Sequence, residues 1–209
     1  MPTTSMPMVL SLEPAAHRHT RMRRVFVAAL LIGLALACPG WAAEKAGVRV
    51  ADTLTFHGQP LVLNGLGVRE ATIFNVDVYV AGLYVAARSS DPATLLRADQ
   101  SKVLHLVFVR DVERDKIAEA WSEGFEKNAG ARLTGLKSRV AELGAFMTDM
   151  KKGSTLTFSY AENQGVEVRV NGTSKGTIAG QDFADVFFAI WLGPYPPNAG
   201  LKTGLLGKG

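Results

Sequence analysis

Apolar and polar residues alternate through "VRVADTLTF" (48–56), the two-residue period of a half-buried strand. "HGQP" turns the chain and "LVLNG" returns it, as in a hairpin. "GVREATIF" and "VDVYVAGLYVA" then read as two further strands, broken near Asn75. "DPATLLRAD" (91–99) opens on Asp91 and Pro92 and predicts a helical turn. "KVLHLVFVR" (102–110) is apolar on both faces, the mark of a central strand.

The period then changes from strand to helix. Ile117, Ala120, Trp121, Gly124 and Phe125 recur at i, i+3, i+4, i+7 and i+8, with Asp111 as the expected cap. A second helical stripe holds Leu133, Leu136, Val140, Leu143 and Met147. "MKKGSTLTFSYA" returns to strand, and "GVEVRVNGTSKGTI" is a hairpin closed by Asn171-Gly172, a dipeptide suited to positive φ at both turn positions. A last helix, begun near Asp182, groups Phe183, Val186, Phe187, Ile190 and Trp191; Gly193-Pro194 stops it, and "LKTGLLG" reads as a short tail. Strands, two helices, strands and one helix indicate an α+β fold with helices packed on one face of a largely antiparallel sheet.

The first part of the chain has a different character. Basic "HRHTRMRR" (17–24) precedes the apolar run "VFVAALLIGLALA" (25–37) and the small residues of "CPGWAAE". That is the pattern of a secretory signal, and the run is shorter than the roughly 20 residues of a spanning helix. We therefore expect residues 1–43 to be a signal peptide cut after Ala42 or Ala43, residues 44–209 to form one domain, and no stable membrane anchor to remain. Cys38 goes with the signal, since Ala35 stands where lipidation favours Leu. The mature chain then has no cysteine, which excludes thiol catalysis and disulfides. Losing Arg18, Arg21, Arg23, Arg24 and Glu13 takes the formal charge from +4 to +1, so no basic patch argues for nucleic acid.

Familiar catalytic constellations are missing. Only His57 and His105 remain in the mature part, at a spacing that supports no metal site, and no cofactor loop or nucleophile motif is present. Aromatic residues stand out instead: Trp121, Phe125, Phe183, Phe187 and Trp191 on helical stripes, and Tyr79, Tyr84 and Phe108 in strands. Core packing alone accounts for each of these. Arg69 is less easily explained, because a guanidinium in an apolar segment is costly without a partner. It needs a carboxylate such as Asp77 or Glu70, or a ligand anion.

"NGLGVRE", "VDVYVAGLYVA", "FVRDVERDKIAEAWSEGF" and "IAGQDFADVFFAIWLGPYPPNAGLKTGLLG" together resemble the chalcone isomerase family, and its secreted bacterial branch in particular, over about residues 48 to 207. The resemblance implies an open-faced β-sandwich, a large antiparallel sheet with helices on one face and a ligand cleft between them. In that family plant members cyclise chalcones, plastid relatives bind fatty acids through an Arg and a Tyr, and other relatives have no known catalysis. The family's G-x-G-x-R arginine falls on Arg69. The plant threonine falls on Tyr79, the tyrosine at the start of the helix falls near Glu113, and the asparagine further along it falls near Ala120. Three polar positions of the catalytic set are thus changed.

The leading reading is a periplasmic, non-catalytic module that binds a small amphipathic carboxylic acid resembling a fatty acid. Arg69 and Tyr79 would hold the carboxylate, and Tyr84, Phe108, Trp121 and Phe125 would enclose the tail. The alternatives are an isomerase or lyase acting on an unsaturated phenolic substrate, and a purely structural domain in which Arg69 is paired internally and the cleft is filled. No cofactor or metal is expected.

Overall fold

The computed structural model describes residues 43–71, 76–97 and 100–209. The expected signal thus lies outside the described residues except for Ala43, and so does the strand break near Asn75. A small hairpin comes first, β1 (Ala43–Lys45) with β2 (Val48–Val50). Seven antiparallel strands follow in one sheet: β3 (Thr53–Phe56), β4 (Gln59–Ala71), β5 (Val76–Val85), β6 (Lys102–Phe108), β7 (Thr155–Ala161), β8 (Gly165–Val170) and β9 (Thr173–Ile178), ordered in space as in sequence. β6 is the middle strand, as its two apolar faces predict.

The helices are α1 (Pro92–Arg97), α2 (Arg114–Ala129), α3 (Leu133–Ala145), α4 (Gln181–Leu192) and α5 (Ala199–Leu205). Their apolar stripes meet one face of the curled sheet. Trp121 and Phe125 of α2, Leu136 and Leu143 of α3, and Phe183, Phe187 and Trp191 of α4 pack over Leu106, Phe158 and Val168 of the strands. Each such side chain contributes about 1.5–3 kcal/mol when fully buried. Arg139 of α3 grips the Asp182 carboxylate at the start of α4 at 2.6 and 2.7 Å, which ties the two helices together. On the other face Leu61, Leu63, Leu66, Val80, Tyr84 and Val103 form a smaller core with Val50 of the hairpin.

Several boundaries differ from the pattern reading. The 48–56 segment is two strands, because the chain breaks at Ala51-Asp52, where Asp52 O accepts the Leu63 amide. The residues before it pair with Val48–Val50 as β1. "LVLNG" and "GVREA" are a single strand, β4, carrying one extra residue at Asn64: Leu63 faces Tyr84, and Gly65 already faces Leu83. Asp111 does not cap α2. Glu113 takes that position, while the Asp111 carboxylate accepts the Lys152 amide at 2.9 Å and pairs with Lys151 at 3.0 Å. Met147 lies beyond the end of α3 yet is buried.

The supposed tail is α5, and it explains the glycines of "NGLGVRE". Gly65 and Gly67 are mid-strand positions against which the α5 backbone lies directly. A Cβ on Gly67 would stand 2.3 Å from Leu201 O, and one on Gly204 would stand 2.2 Å from Leu66 O. Beyond the reach of β3, the free edge of β4 is covered by side chains rather than by a strand. Asn198 donates to Val68 O at 3.1 Å and accepts the Glu70 amide at 3.3 Å. An edge closed this way offers no template for another chain.

The close approach sets a prediction. Gly67→Ala should lower stability by about 1–3 kcal/mol through overpacking. Gly135→Ala, in α3 with nothing within 4 Å of the added methyl, should raise it by about 0.5–1 kcal/mol. Denaturant melts of the two variants give the comparison, and a neutral Gly67→Ala would contradict the packing described.

Candidate functional site

The extra residue at Asn64 decides which way Arg69 points. Before it, Leu61 and Leu63 face the smaller core; after it, Leu66 and Val68 do. The alternation has slipped by one, so Gly65, Gly67 and Arg69 face the helices instead. Asn64 is held in place on three sides. Its amide donates to Leu205 O at 2.7 Å and Ser89 O at 3.0 Å, and its carbonyl accepts the Ser89 amide at 2.8 Å.

Arg69 is directly opposite Tyr79 on β5, and Tyr79 is opposite Phe108 on β6. Residues opposite one another share a face, so the three form a row under the helices. A second irregularity follows, since Glu70 pairs with Asp77 and leaves Val78 as the extra residue. Val78 and Tyr79, though adjacent, therefore both reach the same hollow.

That hollow is a cleft of about 580 Å³, within the usual range for small-molecule sites. Tyr79 and Phe108 form its floor, Ile117 and Trp121 of α2 and Ile190 of α4 its apolar wall. Ala120, Lys116, Glu123 and Lys127 of α2 border the opening, with Arg110 to Glu113 at one end and Tyr195, Pro196 and Pro197 at the other. Tyr195 is 61% exposed at this rim, and its main-chain carbonyl accepts from Asn128 Nδ2 at 3.2 Å. Gly124 lets α2 and α4 close behind the wall, because a Cβ there would meet Ile190 at 2.9 Å.

The polar groups at the floor are donors. Arg69 is half-buried and Nη1 donates to the main-chain carbonyl of Glu70. Among the described residues no carboxylate pairs with it, so neither Asp77 nor the Glu70 side chain plays the part of internal partner. Tyr79 is only 5% exposed. Its hydroxyl oxygen accepts the indole N–H of Trp191 at 3.0 Å, and no protein acceptor for its own proton appears among the described residues. Burial pushes the Tyr79 phenol up to about 12, partly opposed by the Trp191 hydrogen bond and the Arg69 charge. A guanidinium and a phenol, both with donors to spare beside apolar walls, can bind an anion strongly.

Of the residues singled out from the sequence, Arg69, Tyr79, Phe108 and Trp121 meet in this cleft. Tyr84 does not. It faces the smaller core on the opposite side of the sheet and donates to Ala51 O at 2.8 Å. Phe125 is fully buried behind the wall against Phe183 and Phe187, and does not line the cleft. Both are displaced by the strict two-sidedness of their elements, which an aromatic count along the chain does not register. Val78, Ile190 and the Tyr195 to Pro197 loop were missed. The only signal for the loop was the run of prolines after α4. His57 sits exposed in a turn, and His105 bonds Thr157 at 2.8 Å. Among the described residues no group of His, Cys, Asp and Glu is placed to hold a metal.

Residues 42–207 match the sequence model of the chalcone isomerase-like family. The chain belongs to that family. A crystal structure of an Arabidopsis thaliana fatty-acid binding protein is similar, with a TM-score of 0.66 over 79% of this chain and 95% of that one, at 14% identity. That likeness shows the chalcone isomerase-like fold. No curated protein matches the chain in sequence. Glu113 and Ala120, where the resemblance aligned the plant enzymes' tyrosine and asparagine, both border the cleft.

The two buried phenols make the site sensitive to alkali. Tyr79 and Tyr84 both titrate at about 12 because burial disfavours the phenolate. A folded value above the ordinary one of about 10 means the folded state holds the proton more tightly. Their contribution to stability is therefore complete below about pH 10 and is lost as pH rises toward about 12. Unfolding measured across that window should show the decline, reduced in Tyr79→Phe. A Tyr79 resonance that titrates at the ordinary phenol value would contradict it.

Proposed function

We propose that this chalcone isomerase-like protein is a non-catalytic, periplasmic binder of a small amphipathic carboxylic acid of the fatty-acid kind. The observation that carries the reading is the pair Arg69 and Tyr79, donors without an acid partner among the described residues, at the floor of an apolar cleft. The carboxylate would accept from both, and the tail would run along Phe108, Ile117 and Trp121 toward the opening. Each buried CH₂ adds about 0.8 kcal/mol. The similar fold of a protein named for binding fatty acids supports the reading. The periplasmic location rests on the signal-like pattern of residues 17–43.

Catalysis is less well supported. Cyclisation needs donors and a base arranged around a developing anion, and the α2 side of this cleft has Ala120 where the resemblance aligns an asparagine of the plant enzymes. Native mass spectrometry of the protein purified from its host, followed by lipid extraction, should reveal a bound acid. Arg69→Ala should lower affinity about tenfold to a hundredfold, the loss of charge-assisted hydrogen bonds worth about 1.5–3 kcal/mol. Unchanged occupancy in that variant removes the anchor. Turnover of naringenin chalcone above the spontaneous rate, abolished by Arg69→Ala, would show an enzyme instead.

A further inference from the structure

The direction of the Tyr79 hydroxyl is set from behind. A phenol oxygen carries its proton near the ring plane on one side and accepts best on the other. Trp191 Nε1–H occupies one side at 3.0 Å. The Trp191 ring is fully buried and has no freedom to leave, being packed on Trp121 at 5.3 Å and on Phe187 at 5.0 Å. Tyr79 is thus left with its proton on the side away from the indole; it lines the cleft together with Arg69, whose charge acts on it, whereas Trp191 does not line the cleft. A guanidinium accepts nothing. With the Tyr79 oxygen already taken, the floor offers a ligand donors and no side-chain acceptor.

We propose that Trp191 is a positioning residue which makes Tyr79 an obligate donor, so that the cleft selects a headgroup that only accepts, an ionised carboxylate, over an alcohol or primary amide on the same chain. This rests on the binding function proposed above. A headgroup that carries a proton of its own finds no side-chain acceptor at the floor, and the Glu70 carbonyl there already accepts from Arg69, so it loses one of its hydrogen bonds on entering. A carboxylate loses none.

The test compares lauric acid, lauryl alcohol and lauramide by calorimetry on the wild type, Trp191→Phe, Tyr79→Phe and the double variant. Trp191→Phe should weaken laurate by about three- to tenfold, the range of one hydrogen bond. Alcohol binding should hold or improve, because Tyr79 recovers its freedom to accept. The acid-over-alcohol preference therefore narrows, a change that loss of packing alone does not produce. In the Tyr79→Phe background, Trp191→Phe should leave the preference unmoved. Equal losses for acid and alcohol in Trp191→Phe overturn the inference, as does laurate binding that falls in Tyr79→Phe but stays at the wild-type level in Trp191→Phe. Either result leaves the binding function standing. Laurate binding unmoved by both Tyr79→Phe and Arg69→Ala overturns the binding function and this inference together. If Trp191→Phe does not fold, benzothienylalanine at position 191 keeps the ring and removes only the N–H, and the same comparison applies.

Discussion

A single extra residue in one strand governs this site. At Asn64 the pairing of β4 with β5 slips by one position, and every side chain beyond it changes face. Without the slip Arg69 would point toward the smaller core, on the side of Val80 and Tyr84, and away from the helices. With the slip it faces the helices and lines the cleft. The bulge is held by the Asn64 side chain, only 7% exposed, whose hydrogen bonds reach Ser89 on one side and Leu205 of α5 on the other. The C-terminal helix and the direction of the guanidinium are thereby mechanically linked.

The same link accounts for the local composition. Having put Gly65 and Gly67 on the helix side, the chain uses the missing side chains to seat α5 against the strand backbone. Asn198, just before α5, then covers the edge of β4 next to Arg69. Rigid surroundings matter for a cation in this setting. A mobile Arg69 would swing to solvent and recover its hydration; here Nη1 is held by the Glu70 carbonyl and the neighbouring edge is closed. Tyr79 is fixed from the other side by Trp191. Two donors are presented by elements that cannot easily turn away, and a preorganised seat of this kind binds without first spending energy on its own ordering.

The layer architecture was readable from periodicity, because most strands and helices carry an apolar face that packing helices on the sheet buries. The importance of Arg69 was readable too, since a guanidinium within a β-prone run demands an explanation. What the pattern hid was the register. A bulge adds one residue without any compositional mark, so one strand looked as if it ended at Gly65 and another as if it began at Gly67. The tail was misread for a related reason: Gly200, Gly204 and Gly207 argue against a helix by propensity, whereas Gly204 and Gly207 serve close approach to β4, at Gly204 above all. Tyr84 and Phe125 show the converse limit. Each is aromatic and near the site in sequence, yet the parity of the strand and the far side of the helix put them elsewhere. Trp191 looked like ordinary core, and nothing in its spacing told that its N–H would meet a hydroxyl.

The central claim is that a cation at the floor of an apolar cleft holds an acid in its ionised form, and the titration of the bound acid reports on it most directly. Lauric acid labelled at the carboxyl carbon, bound to the protein and followed by NMR as pH is lowered, should titrate well below the free acid, because Arg69 and Tyr79 favour the charged form more than burial opposes it. Arg69→Gln should bring the value back up. A bound carboxyl that titrates at or above its value in water would mean that burial dominates, and that no cation is seated against it.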